Sequence, residues 1–212
     1  MNRSRSPEAT HDHATERLIF FSDAVFAIAI TLLVIEIEVP NFPVQATPHE
    51  QWAELGALWP SLFAFVLSFL VIGRFWMGHH ALFARLTRFD KRLMWPNLIY
   101  LMAIAAMPFA TAFLGRNIGH FVPELVYNLM MMTCGALNLW LAHIAKSAGL
   151  RRTEDGEFID RPLAVTLGAA VCVALTFVFP LASQWGMATI PLWIWLQKRL
   201  EGTSNARHSR TQ

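Results

Sequence analysis

Long apolar stretches alternate with short polar segments along this chain. A helix that crosses a bilayer needs about 20 mostly apolar residues, and several stretches reach that length. Stretches without Asp, Glu, Lys or Arg cover residues 55–73, 93–115, 125–145 and 162–197, and a further apolar stretch covers 18–37. The last uncharged stretch is too long for one crossing, so we divide it near Pro180, Ser183 and Gly186. The pattern predicts an all-α membrane protein with six transmembrane helices.

The six predicted spans form one membrane domain. This domain covers residues 17–199, between a polar arm at 1–16 and a basic tail at 200–212. The approximate boundaries of the spans are 18–38, 52–77, 93–115, 122–146, 161–182 and 184–198.

The distribution of basic residues predicts the orientation of the spans. Of the 17 Lys and Arg residues, all except Arg116 fall in or next to the arm, the tail and the segments 74–92 and 146–161, which six spans place on one side. Basic residues concentrate on the cytoplasmic side of membrane proteins, so both termini are predicted to be cytoplasmic. A soluble helical bundle would not predict this segregation, and the charged fraction of 15% lies below the roughly 25% usual for soluble domains.

The first span carries a carboxylate, Asp23, next to Ser22. A charged side chain within a span normally pairs inside the protein. The end of the second span offers Arg74, Trp76, His79 and His80 at a similar depth, and an Asp–His or Asp–Trp hydrogen bond would satisfy the carboxylate. Two interpretations of Asp23 stay open: a structural clamp between two helices, or a group that handles protons or ions directly.

A narrow stripe follows the opposite face of the same helix. At about 100° per residue, the side chains of Ile28, Thr31, Leu32 and Ile35 project in similar directions, away from Asp23. The stripe is typical of ordinary helix packing, and it also suits the lining of a pore built from several copies of this helix.

Two short motifs resemble the TMEM175 family. Residues 17–23 read RLIFFSD and match the family motif RxxxFSD, and residues 75–80 read FWMGHH and resemble its Trp/His segment. The resemblance implies a potassium-permeable cation channel in which Arg17, Phe21, Ser22, Asp23, Trp76, His79 and His80 form a structural network. Prokaryotic members have one six-helix repeat per subunit and assemble as tetramers, so we expect a homotetramer in the lipid bilayer of the cell membrane.

The family pore is lined by first helices with apolar side chains at the constriction. By position, the resemblance makes Ile28 the first constriction residue and Thr31 a pore-facing hydroxyl, with Leu32 and Ile35 continuing the lining. Glu36 and Glu38 fall near the predicted external mouth, where they would either concentrate monovalent cations or be solvated acids at a helix end. We expect modest selectivity for K⁺ over Na⁺.

Other classes of function leave fewer signs in the sequence. His79 and His80 are adjacent and diverge by about 100° on a helix, whereas metal-ligand pairs use i,i+3 or i,i+4 spacing. We therefore expect no metal site. The spans also contain no nucleophile–base or metal constellation, so we expect no enzymatic activity. We expect no cofactor and no nucleic-acid partner, and the permeant ion would be K⁺. The alternative function is a proton-coupled secondary transporter that uses Asp23 and a histidine as a relay.

Overall fold

The computed structural model describes residues 7–86, 90–150, 162–196 and 199, with only the backbone described for residues 7–14 and 162. The basic tail predicted at 200–212 lies outside the described residues, as do residues 1–6 of the polar arm. The described part of the chain is all-helical, as predicted.

Seven α-helices and two 3₁₀ segments make up the described structure. The α-helices are α1 (Pro7–Leu32), α2 (Pro48–Ala57), α3 (Trp59–Ala84), α4 (Met94–Arg116), α5 (Phe121–Ser147), α6 (Pro162–Thr176) and α7 (190–196). The 3₁₀ segments cover Lys91–Leu93 and Pro180–Thr189.

Helix α4 lies at the centre of the fold. It packs against α1, α3 and α5, while α6 packs between α5 and the 3₁₀ segment Pro180–Thr189. Tyr100, Ile104 and Met107 on α4 are fully buried. Among the described elements α1 packs mainly against α3 and α4, and it therefore lies at one side of the bundle.

The second predicted span is shifted along the chain. We predicted one helix at 52–77, but the chain forms α2, breaks at Leu58 and continues as α3 from Trp59 to Ala84. Thr47 and Glu50 form a capping box that starts α2, and Pro60 falls in the first turn of α3, where its missing N–H costs little. The helix boundaries therefore differ from the predicted bounds, because apolar length alone does not locate a helix end, and the position of the membrane span itself stays a prediction.

The carboxyl-terminal part also differs from the prediction of helices at 161–182 and 184–198. Helix α6 ends at Thr176, and the chain forms the 3₁₀ segment before α7. Pro180 follows Phe179, whose backbone leaves the helical region. Gly186 then approaches α6 so closely that an added Cβ would lie 2.7 Å from the Cys172 backbone nitrogen.

Helix α1 begins and ends earlier than the predicted span 18–38. It begins at Pro7, inside the predicted polar arm, and ends at Leu32. Residues 33–36 form turns, in which the Ile35 amide donates to the carbonyl of Leu32. Ile35 therefore does not continue the helical stripe as the wheel predicted.

Three stretches among the described residues are helical, long and apolar enough to cross a membrane. They are Pro48–Ala84, Lys91–Arg116 and Phe121–Ser147, and a shorter apolar helix covers Leu163–Thr176. The count of six spans stays a prediction.

Candidate functional site: the first helix and its anchoring network

The side chain of Asp23 links α1 to α3. The indole Nε1 of Trp76 donates a hydrogen bond to Asp23 Oδ1 at 2.8 Å. The His80 Nδ1 lies 3.8 Å from Asp23 Oδ2, with both side chains partly exposed. The structure thus brings together three of the residues singled out in the two motifs. A carboxylate held by an indole N–H fastens two helices in a fixed register.

His79 belongs to a separate, buried network. Its Nε2 lies 2.7 Å from the side-chain oxygen of Asn97 on α4, and Asn97 Nδ2 donates to Ser22 Oγ at 3.0 Å. Ser22 then donates to the carbonyl of Leu18 at 2.8 Å. Because the Asn97 oxygen can only accept, His79 must carry its proton on Nε2. The chain of hydrogen bonds connects α3, α4 and α1 through side chains that are almost completely buried.

Aromatic rings enclose the imidazole of His79. It stacks on Phe83 with ring centroids 4.3 Å apart and on Tyr100 at 5.6 Å, and Phe26 of α1 lies 5.5 Å away. Such pairs stabilise packing beyond the burial of their area. His79 therefore packs as a core residue, and its hydrogen bond with Asn97 fixes the orientation of the imidazole ring.

Asn97 is the member of this network that sequence reasoning missed. It lies one residue after Pro96 in the first turn of α4, where we regarded the apolar stretch only as a span. A polar amide in the first turns of a span indicates an interhelical hydrogen bond. The sequence does not show which helix supplies the partner.

Arg17 and Phe21, the other two motif residues, lie on the surface of the subunit. Phe21 is about half exposed, and Arg17 is exposed with no hydrogen bond or ion pair to any described residue. The structure does not bring them into contact with the Asp23 clamp or with the His79 network.

The stripe of α1 faces away from the bundle. Ile28 is 58% exposed and Leu32 is 40% exposed, and Ile35 in the following turn is 72% exposed. On the opposite face Phe26 and Leu33 are buried against the bundle. The apolar side chains therefore form a surface that nothing within the described subunit covers.

Thr31 lies on the same exposed face. Its hydroxyl is 2.9 Å from the Ile28 carbonyl and 3.0 Å from the Ala27 carbonyl, so its one proton points back to the helix. The oxygen lone pairs remain free to face outward. An oxygen of this kind is a ligand that a partly dehydrated alkali cation accepts.

The two acidic residues that follow α1 meet the end of α4. Arg116 lies 3.0 Å from Glu38 and 3.9 Å from Glu36. These three side chains are at least one-third exposed, so the ion pairs stabilise the protein by at most about 1 kcal/mol. The pairing partly neutralises the acids that we predicted at the external mouth.

No group of three or more His, Cys, Asp or Glu side chains suited to a metal ion occurs in the described parts of the chain. His79 is buried while His80 is exposed, so the two histidines do not converge on one point.

The apolar spanning helices and the polar pairs between them define a multi-pass helical membrane protein. A family described as "Endosomal/lysosomal potassium channel TMEM175" matches residues 17–108. A solved structure described as a lysosomal potassium-selective channel TMEM175 homolog from Chamaesiphon minutus is 30% identical, with a TM-score of 0.69, and covers 87% of this chain and 98% of that one. The chain belongs to the TMEM175 family, which confirms the resemblance of its two motifs.

Curated relatives match a shorter part of the chain. A protein of Streptomyces collinus named a potassium channel is 46% identical over 120 residues, which are 55% of this chain and 57% of that protein. A mouse protein named an endosomal/lysosomal proton channel is 33% identical over 100 residues, or 45% of this chain and 20% of the mouse protein. The match therefore spans little more than half of the bacterial relative. These proteins are named as channels and not as enzymes, in agreement with the expectation of a non-enzymatic protein.

Proposed function

We propose that this chain is a subunit of a potassium-permeable cation channel. Four copies surround a central pore in the cell membrane, with both termini in the cytoplasm, and α1 of each copy lines the pore. The names of its relatives and the distribution of its basic residues support this proposal.

The observation that carries the pore assignment is the division of α1 into two faces. One face is fastened to α3 and α4 through Asp23, Ser22 and Phe26. The other presents Ile28 and Leu32 at the surface, with Thr31 between them. A lipid-facing stripe would need no fixed register, whereas a pore helix must be held firmly because its side chains set the pore width.

A ring of four Ile28 side chains would form an apolar constriction. A narrow apolar ring blocks ions when it dewets and passes them when it widens. An ion that crosses it must shed water, which costs less for K⁺ than for Na⁺ because K⁺ is more weakly hydrated. The Thr31 oxygens would replace part of that water. Together these effects predict a modest preference for K⁺.

Asp23 has a positioning role in this mechanism. Its hydrogen bond with Trp76 sets the position of α1 relative to α3, and the network of Asn97 does the same relative to α4. Neither group needs to touch a permeating ion.

The test is passive flux of K⁺ and Na⁺ into proteoliposomes. Ile28→Asn is expected to raise flux or abolish the preference for K⁺, because a polar ring wets more readily. Val66→Asn is the matched control, since Val66 is a β-branched residue on α3 with a similar exposed fraction of 53%. Equal effects of the two substitutions on assembled protein would contradict the pore assignment.

The same vesicles distinguish a channel from a proton-coupled transporter. Asp23→Asn removes the titratable group but keeps an oxygen that can accept from the Trp76 indole, whereas Trp76→Phe removes the hydrogen bond and keeps the carboxylate. A clamp therefore predicts a flux defect in Trp76→Phe and a smaller one in Asp23→Asn. A proton relay predicts uptake driven by a proton gradient that Asp23→Asn abolishes and Trp76→Phe retains, and that result would replace the channel proposal.

A further inference from the structure

Two residues of the RLIFFSD motif take no part in the anchoring networks, and one of them, Arg17, carries a permanent positive charge. Arg17 is exposed and forms no hydrogen bond or ion pair with any described residue. Charged side chains at a span face either a partner within the protein or a water-filled path. Because the described residues offer no partner to Arg17, the face of α1 on which it lies decides what its charge meets.

Arg17 lies on the same face of α1 as the proposed pore lining. Helix α1 runs without a break from Pro7 to Leu32, so side chains seven positions apart point in directions that differ by only about 20°. Arg17, Ala24 and Thr31 have this spacing, and Ile28 lies one turn beyond Ala24. All four side chains are exposed. The exposed stripe therefore continues from the constriction toward the polar arm and reaches a guanidinium group.

The contacts that anchor α1 hold Arg17 and Ile28 in one register. The hydrogen bonds of Ser22 and Asp23 lie between these two residues along the helix, and Leu18 packs against the core next to Arg17. A rotation of α1 that turned Arg17 away would therefore turn Ile28 away as well. Eleven positions separate the two residues, which places Arg17 about 16 Å from the constriction. Because the screening length is about 8 Å at physiological salt, the charge acts on ions at the entrance more than on ions at Ile28.

The acidic residues on the described part of this helix point away from Arg17. Glu16 precedes it and diverges by about 100°, and Asp23 diverges by about 120° and is held by Trp76. Four copies of α1 around an axis would bring four guanidinium groups together at the cytoplasmic end of the pore. A ring of like charge lowers the local concentration of ions of the same sign. The ring would therefore deplete K⁺ at this entrance.

We propose that Arg17 forms a positively charged ring at the cytoplasmic entrance of the pore and makes the channel rectify inward. This inference rests on the proposed function, in which α1 lines a pore and the termini are cytoplasmic. K⁺ that leaves the cell enters the pore through the depleted region, whereas K⁺ that enters the cell starts from the other mouth. Outward current is therefore smaller than inward current at equal and opposite voltages. The preference for K⁺ over Na⁺ does not depend on Arg17, because the constriction lies beyond the reach of its screened charge.

The experiment measures current against voltage in inside-out patches from cells that express the full chain, with equal K⁺ concentrations of about 0.1 M on both sides. Arg17→Gln is expected to raise the ratio of outward to inward current about twofold, and Arg17→Lys keeps the charge and should rectify like wild type. Arg92→Gln is the matched control. Arg92 is an exposed arginine on the same predicted side, in a 3₁₀ segment that packs against α4 and α5. The rectification of wild type should also weaken at about 1 M salt, where screening is stronger.

Chemical modification separates the charge of residue 17 from its size. Arg17→Cys is treated from the cytoplasmic solution with trimethylammonioethyl methanethiosulfonate or with sulfonatoethyl methanethiosulfonate, which attach groups of similar size and opposite charge. The cationic group is expected to restore the rectification of wild type, and the anionic group is expected to reverse it. The native thiols of Cys134 and Cys172 are buried, so wild type should not respond to either reagent.

Equal effects of the two reagents on Arg17→Cys, or wild-type rectification in Arg17→Gln, would overturn the inference. The proposed function is judged separately by modification of Ile28→Cys. If that modification blocks K⁺ current while the Arg17 variants behave like wild type, the pore assignment stands and only the charged ring is wrong. Absence of K⁺ current in wild type would overturn both the channel and the ring.

Discussion

The buried hydrogen bonds of Asn97 allow a quantitative prediction about how α1 is held. Asn97→Leu keeps the branching and the number of side-chain heavy atoms but removes both polar functions. The Nε2–H of His79 then has no acceptor in an environment where the side chain is only 1% exposed. Ser22 is less affected, because it still donates to the carbonyl of Leu18.

The expected cost follows from these partners. An orphaned buried donor costs about 1–3 kcal/mol, and an interhelical hydrogen bond within a membrane contributes about 0.6 kcal/mol on average. We therefore expect Asn97→Leu to lower the free energy of unfolding by about 2 kcal/mol, mostly through His79. In the double variant with His79→Phe, the two unsatisfied groups disappear together and a phenyl ring retains the stacking on Phe83 and Tyr100.

The assay is a double-mutant cycle in mixed micelles with increasing dodecyl sulfate. Unfolding is followed with a thiol-reactive fluorogenic dye, because the protein contains two cysteines, Cys134 and Cys172, and both are buried. The double variant is expected to be about 1 kcal/mol more stable than the sum of the single effects predicts. Additivity within about 0.3 kcal/mol would refute the reasoning that His79 and Asn97 depend on each other.

Two further predictions concern packing and the predicted outer mouth. Gly186→Ala is expected to destabilise the protein by about 1–3 kcal/mol, since its Cβ would meet the Cys172 backbone, whereas Gly73→Ala has nothing within 4 Å and should be neutral in the same unfolding assay. Arg116→Gln frees Glu38 and is expected to raise K⁺ flux at low ionic strength, with the gain lost at about 1 M salt; an equal gain at both salt concentrations would contradict a field effect.

The contact of Asp23 could be predicted because its chemistry leaves few choices. A carboxylate in a span needs a donor, and the second span supplied an indole and two imidazoles at a similar depth. The sequence could not show whether His79 or His80 lies near Asp23, because the rotation of α3 about its axis decides which of the two is buried. Asn97 was missed for a related reason: its partners lie on two other helices, and only packing brings them together.

Helix ends were harder to predict than helices. The apolar length of the chain predicts long helices, but it does not reveal that α1 ends at Leu32 or that Pro180–Thr189 is a 3₁₀ segment. Tertiary contacts accompany both features: Arg116 lies near Glu36 just after the end of α1, and Gly186 packs against α6.

The central claim is that Ile28 lines an ion pathway formed by α1. It is tested most directly by measuring K⁺ flux in an Ile28→Cys variant before and after modification with a thiol-reactive quaternary ammonium reagent. Wild type, whose two cysteines are buried, and Val66→Cys on α3 are the controls. We predict that modification blocks flux in Ile28→Cys and leaves both controls unchanged. Undiminished flux through protein that mass spectrometry shows to be fully modified at residue 28 would contradict the account.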